Sequence, residues 1–311
     1  MLSRRSIRVK VMQILFALDR DKDLSLDEAS KNYSKSIADC YNLLLFNLFV
    51  MVQLTKVSVE DDKLRKAKHL LTKEDKDFNP KFYKNDIVQG LVNNNSLNKD
   101  FAKHGFENKL DSDFFKKLYQ AFAKNEKYLA YVFGDSSIDS HRDILLEMYR
   151  FCRQDEYFNE IMDDHFPSWI DDKSLIIGAV KKIVKAYPDA KDNFYKQFLP
   201  DSETVNDFGD VLLKKVAQEE EELLNIIKPV LQNWDHERLA IIDTILLKMA
   251  LVEMTNFETI PTKVTLNEYV EVAKKYSTAK SKDFVNGILD KLLKDLEAAG
   301  KITKSGRGLE G

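Results

Sequence analysis

Between Cys40 and Thr55 the chain reads CYNLLLFNLFVMVQLT, 16 residues without a charge inside otherwise charged sequence. A helix that is apolar all round has to be covered all round, by lipid or by other protein. Spanning a bilayer takes about 20 apolar residues. This run is shorter, Asn42, Asn47 and Gln53 interrupt it, and charged helical sequence flanks it. It reads as a helix buried in a bundle, not as a membrane span. A chain of 311 residues with 44% hydrophobic residues can build such a bundle. Only 10 glycines and 6 prolines break it, which favours long helices over a turn-rich β protein. There is no alternating strand pattern and no solenoid period.

The helical segments can be placed in order. The first spans about Ser3 to Leu18, with Ile7, Val11, Ile14 and Leu18 as its core stripe and Arg5, Arg8, Met12 and Phe16 on roughly the opposite face. Helix follows from Leu26 to Leu71, as one piece or two. KEDKDFNP is a charged break, Lys81 to Val92 a shorter helix, and NNNSLNKDFAKHG a polar turn. Asp113–Tyr131, His141–His165, Ser174–Ala186 and Asp189–Phe198 read as further helices, with a loop from Gly134 and punctuation at Pro188 and Pro200. Val205–Gln232 reads as one long helix carrying the acidic run Glu219–Glu222, and Asp235–Met254 as another. From Gly300 the chain reads as a mobile tail.

The stretch Ile260–Leu293 is the most patterned. Leu266, Tyr269, Val270, Ala273 and Tyr276 recur at helical spacing, and Thr265 with Glu268 has capping-box spacing just after Pro261. In the next helix Phe284, Ile288, Leu292 and Leu296 form one stripe and Val285, Leu289 and Leu293 the adjacent one, with Ser281 as N-cap. Gly287 inside that run implies close backbone packing, because an internal glycine costs about 1 kcal/mol against alanine.

Catalytic motifs are missing. There is no G-x-G-x-x-G, P-loop or H-E-x-x-H, and the five histidines show no ligand spacing with Cys40 or Cys152. The two cysteines read as buried free thiols of a reducing cytoplasm, and no secretory signal is visible. Asp243, among apolar neighbours, reads as a structural acid paired with Arg238. The chain is expected to be no enzyme and to need no cofactor or metal. Its net charge of −3 confines any nucleic-acid site to a local patch. The one clean early cluster is Arg4, Arg5, Arg8 and Lys10, with no acid before Asp19. Arginines at a helix start can grip phosphates by charge and bidentate hydrogen bonds, or can simply be a solvated helix end.

The pattern P-x-x-V-x-x-N-E-x-V-E-x-A-K-x-Y followed by S-x-x-F-V-N-G-I-L-D, with NWDHERLAIIDTILLKMALVEM before it, resembles the C-terminal half of the NusB family of transcription antitermination factors. The resemblance covers about 90 residues at the C-terminus and roughly 18 at the N-terminus. Residues from about 20 to 170 lie outside it. It implies an all-α, NusB-like helical bundle with two subdomains and an enlarged N-terminal region: residues 1–200 with the insertion, 201–299 as the family subdomain, and 300–311 as tail. It implies binding of a boxA-like single-stranded RNA within an RNA polymerase antitermination complex, together with the ribosomal small-subunit protein NusE, in support of ribosomal RNA transcription in the cytoplasm.

Carried over by position, the RNA contacts are Arg4, Arg5 and Arg8 on the first helix and Lys280, Ser281 and Phe284 before and in the last. Lys280 departs from the family pattern, where an acidic residue often stands. Phe284 also begins an apolar stripe, so core and base-stacking roles are both open for it. The NusE-docking positions are Phe16 and Glu253. Phe16 falls off the core stripe of its helix, as a partner surface requires, unless the middle region covers it. The competing reading is a helical interaction scaffold that has lost RNA binding. An RNA methyltransferase lacks support, because no cofactor-binding glycine fingerprint is present.

Overall fold

The computed structural model describes residues 1–187, 189–231 and 240–305. Among them there is no strand. The helices are α1 (Arg4–Arg20), α2 (Leu26–Lys66), α3 (Lys73–Asp77), α4 (Lys81–Lys84), α5 (Asp86–Val92), α6 (Asn95–Lys103), α7 (Ser112–Phe122), α8 (Glu126–Phe133), α9 (Ile138–Cys152), α10 (Glu156–His165), α11 (Trp169–Ala186), α12 (Val211–Gln218), α13 (Glu220–Ile227), α14 (Ile241–Asn256), α15 (Thr262–Tyr276) and α16 (Ser281–Ala298). A π-helical stretch, Glu203–Asp210, leads into α12.

The chain separates into two compact units, one of Ala38–Leu199 with Met1, the other of Leu2–Ile37 and Pro200–Gly311. This differs from a split at residue 200. The first helix and the start of α2 group with the C-terminal stretch. The reason is visible in α1: Ile7 and Val11 are fully buried, and they can be so only against helices from the other end of the sequence.

The first unit is built around the uncharged run. Leu43 to Val52 of α2 are buried throughout. Phe46 packs against Phe106 and Phe166 with ring centroids 5.2 Å apart, and Phe49 against Phe101 at 5.5 Å. Each such pair adds about 0.5–1.5 kcal/mol to the burial itself. Asn47 is accommodated because its amide donates to Leu43 O at 2.8 Å and accepts from Tyr149 Oη at 3.0 Å, so no polar atom of it is left dry. α2 is the one helix among the described residues long and apolar enough to cross a membrane, and 78% of its most apolar window is buried in protein. Cys40 and Cys152 are both free and buried, and burial pushes the Cys152 thiol up to about 12.

Several local expectations change. α2 is a single helix and ends at Lys66. The polar stretch at 93–105 is not a turn. Asn94 caps α6 by accepting from Leu97 N, and Leu97 and Phe101 give that short helix a buried face. His141–His165 divides into α9 and α10, because Asp155 caps a new helix. Asp189–Phe198 contributes only the 3-10 turn Phe194–Phe198. The long helix expected over Val205–Gln232 is segmented into the π stretch, α12, α13 and a 3-10 turn. Pro188, His236, Arg238, the start of the expected Asp235–Met254 helix and the last six residues lie outside the described residues.

The second unit assembles α1, the start of α2, the π stretch and α12 to α16. The core stripe of α1 is Ile7, Val11, Met12 and Leu15; Ile14 and Leu18 are only half-buried, and Met12 is core. The π stretch is held by Tyr33 of α2, whose hydroxyl donates to Val205 O at 2.9 Å. Gly209 is required there, because a Cβ would run into that hydroxyl and into Ile7. Gly287 is the opposite case. It is exposed, with no atom within 4 Å of where a Cβ would stand, so the close packing expected of it is absent. Residues 301–305 do not simply trail away from the helix: Lys304 Nζ donates to Glu253 O at 3.2 Å and to Phe257 O at 2.9 Å, capping the end of α14 with positive charge.

Candidate nucleic-acid interface

The site grows from the start of α1. Ser3 caps this helix by accepting from Ser6 N, and the first turn carries no acid. The three arginines that follow meet different fates. Arg4 and Arg5 keep 40% and 58% of their side chains exposed, whereas Arg8 keeps 3%. Arg4 reaches Glu203 at 3.3 Å. Arg5 grips Glu268 of α15 in a two-pronged contact of 2.7 and 2.6 Å. That hydrogen bonding holds the Glu268 carboxyl below its ordinary range and raises Arg5.

Arg8 lies inside the protein. Its Nε and Nη2 donate to Glu253 Oε2 and Oε1 at 2.8 and 2.6 Å. Thr265 Oγ1 and Tyr269 Oη donate to the same carboxylate at 2.8 and 2.9 Å. The Phe208 ring, supplied by the π stretch, sits 5.2 Å from the guanidinium carbon. Burial would pull the Arg8 charge down, but the bonds and charge of Glu253 outweigh it and leave Arg8 raised. Burial, then Glu253, pushes the Tyr269 hydroxyl far above its ordinary value.

Two expectations are therefore corrected. Arg8 is not on an open face of α1, and Glu253, fully buried, offers no surface to a partner. A carboxylate taken out of water needs a full set of donors, and Arg8 with Thr265 and Tyr269 supplies it. Thr265 and Glu268 do not form a capping box either. Pro261 stands at the N-cap, and both side chains are spent on this network.

The turn between α15 and α16 is fixed by a second polar cluster. Ser281 is the first residue of α16 rather than its cap. It is 1% exposed, and its hydroxyl donates to Asp243 Oδ2 at 2.7 Å while accepting from Thr278 N at 3.2 Å. Ser281 thus holds the turn from inside. Phe284, 8% exposed, belongs to the core stripe and is not a free stacking face. The residues left on the outside are lysines. Lys274, Lys275, Lys280 and Lys282 are all exposed, and the chain has no acid between Glu271 and Asp283. Phe16 is 38% exposed, the one exposed large apolar residue of α1.

The members that the sequence did not flag are Thr265, Glu268, Tyr269 and Phe208. A signal for three of them was there. Residues i, i+3 and i+4 share a helix face, so Thr265, Glu268 and Tyr269 present three polar groups to one neighbour. Phe208 comes from the π stretch, and nothing in its local pattern announced it.

Comparison with known proteins bears on this unit. A model of the NusB family matches residues 174–294. The chain is 42% identical to the transcription antitermination protein NusB of Salinibacter ruber over 113 residues, which is 36% of this chain and 71% of the relative. It is 42% identical over 103 residues to that of Chloroherpeton thalassium, 33% of this chain and 49% of the relative. It is 37% identical over 111 residues to that of Anaeromyxobacter dehalogenans, 36% of this chain and 78% of the relative. No solved structure matches. An all-helical chain whose family match spans 174–294 and whose N-terminal helix packs with that segment belongs to the NusB family of transcription antitermination proteins, as a long form.

Proposed function

We propose that this protein is a cytoplasmic, non-catalytic antitermination factor that binds boxA-like single-stranded RNA and docks the ribosomal protein NusE. The observation that carries the RNA reading is the acid-free turn with exposed Lys274, Lys275, Lys280 and Lys282. A single strand is gripped first through its phosphates, and lysines on a rigid turn supply point charges without demanding a sequence. Arg4 and Arg5 add exposed positive charge at the start of α1, with Arg5 held in one orientation by Glu268. Arg8 and Ser281 act beneath this surface: one joins α1 to α14, the other shapes the turn. Phe16 is the docking residue that stays open, since an exposed aromatic can be desolvated by a partner.

The test is fluorescence titration of a boxA RNA at several salt concentrations. Lys280→Glu with Lys282→Glu should weaken binding and lower the salt slope by about 0.7 for each phosphate that the variant leaves unneutralised. Parental affinity and slope in that folded variant would reject the turn as the RNA site. Failure of the parent protein to hold RNA, with or without NusE, would favour the interaction-scaffold reading.

A further inference from the structure

The unit of residues 38–199 carries an open groove of about 800 Å³ between α8, α9 and α11. We propose that it receives one amphipathic helix of a partner protein, lying antiparallel to α9, with an acidic first turn and a basic last turn. This surface is separate from the RNA reading and does not depend on it.

Lys127 at the start of α8 pairs with Glu147 late in α9 at 3.1 Å, so the two helices run antiparallel. Groove-lining residues of α9 extend from Ser140 to Arg153. At 1.5 Å per residue that is about 20 Å, the length of a helix of roughly 14 residues. The charges along it are sorted. Asp135 and Asp143 line one end and Arg150 and Arg153 the other, with Lys181 of α11 between them, since the end of α11 meets Arg142 near the start of α9. In the middle Glu147 is already engaged by Lys127 and, at 3.7 Å, by Arg150.

Glu147 balances only part of the basic end, through Arg150. Arg153 stands 5.2 Å over the Tyr149 ring, and its Nε is buried without a hydrogen-bond acceptor among the described residues. The floor is apolar, from Ala130, Ile144 and Leu146. Phe133, one turn from Ala130 on α8, is 46% exposed and carries apolar surface past the groove. A bare anion would use the basic end and leave the apolar floor and the acidic end unmatched. A helix uses all three. Helices place acids in their first turn and bases in their last, to suit their own dipole. Such a helix meets this groove in one direction only, acidic end on Arg150 and Arg153. Its apolar stripe then covers the floor, as in other helix-in-groove recognition.

The experiment uses the full chain and two labelled 14-residue peptides of equal composition. One has acids in the first turn, a leucine stripe and lysines in the last turn; the other has the charged turns exchanged. The first peptide should bind at least about tenfold more tightly, with the preference falling as salt rises. Arg150→Glu with Lys181→Glu, both exposed positions, should reverse the preference in a protein of unchanged circular dichroism. Ala130→Trp should fill the groove and remove binding of both. Equal binding of the two peptides, binding of neither, or an unaltered preference in the charge-reversed variant would overturn the proposal. Displacement of the first peptide by millimolar inorganic phosphate or by an oligonucleotide alone would make this an anion site instead.

Discussion

Replacing Arg8 by methionine isolates the buried ion pair. Methionine roughly keeps the length of the side chain and removes the charge. Glu253 then remains fully buried, with Thr265 and Tyr269 as its remaining donors. Two charges about 4 Å apart at an effective dielectric of 20 attract by about 4 kcal/mol. Removing one member of a buried pair ordinarily costs about 3–5 kcal/mol.

The assay is amide hydrogen exchange of α14 together with urea unfolding of parent and variant at pH 7. The expected deficit of the variant is about 3–5 kcal/mol. A deficit below about 1 kcal/mol would refute the reasoning, because Thr265 and Tyr269 alone would then hold Glu253 as well as the full set of donors does.

Three further outcomes are expected. Gly287→Ala should stabilise the protein by about 0.5–1 kcal/mol in urea unfolding, because the position is helical, exposed and open, and alanine lowers the entropy of the unfolded chain. Phe16→Asp should leave the melting temperature nearly unchanged, weaken NusE binding by about 2 kcal/mol and barely affect RNA, in paired titrations; an unfolded variant would show that Phe16 is core after all. Glu268→Gln should cost about 1 kcal/mol near neutral pH, and the gap to the parent should close as pH drops below the ordinary carboxylate range, because the lowered folded-state pKa makes the contribution of Glu268 present above that range and lost beneath it; a gap constant down to pH 3 would contradict the pairing with Arg5.

What could be read from the sequence was what periodicity controls. The buried α2 run, the stripes of α15 and α16 and the helical class all follow from apolar spacing. Pairing across the sequence was much less legible. Arg8 and Glu253 stand 245 positions apart, and each alone looks like a surface residue of an ordinary helix. Their burial is decided by what packs over them, which no local window contains. Ser281 and Thr265 show the same limit. A hydroxyl next to a helix start reads as a cap, yet each is turned instead to a buried carboxylate on α14. Gly287 failed differently. The close neighbour assumed for it is not supplied within this chain. At residues 95–103 polar composition hid two well-spaced apolar anchors, Leu97 and Phe101.

The same separation of 245 positions sets a waiting time during synthesis. At about 5–20 residues per second, the ribosome takes roughly 12–50 s to deliver Glu253 after Arg8. Residues 38–199 are complete well before then and can close around α2. The buried face of α1 packs on the π stretch, α12 and α14, so Ile7, Val11, Met12 and Leu15 stay open to chaperones until the π stretch emerges and are fully covered only once α14 has followed. A ribosome stalled between α11 and the π stretch would present a folded first unit and an uncovered α1, and pulse proteolysis of such chains should cut first within α1.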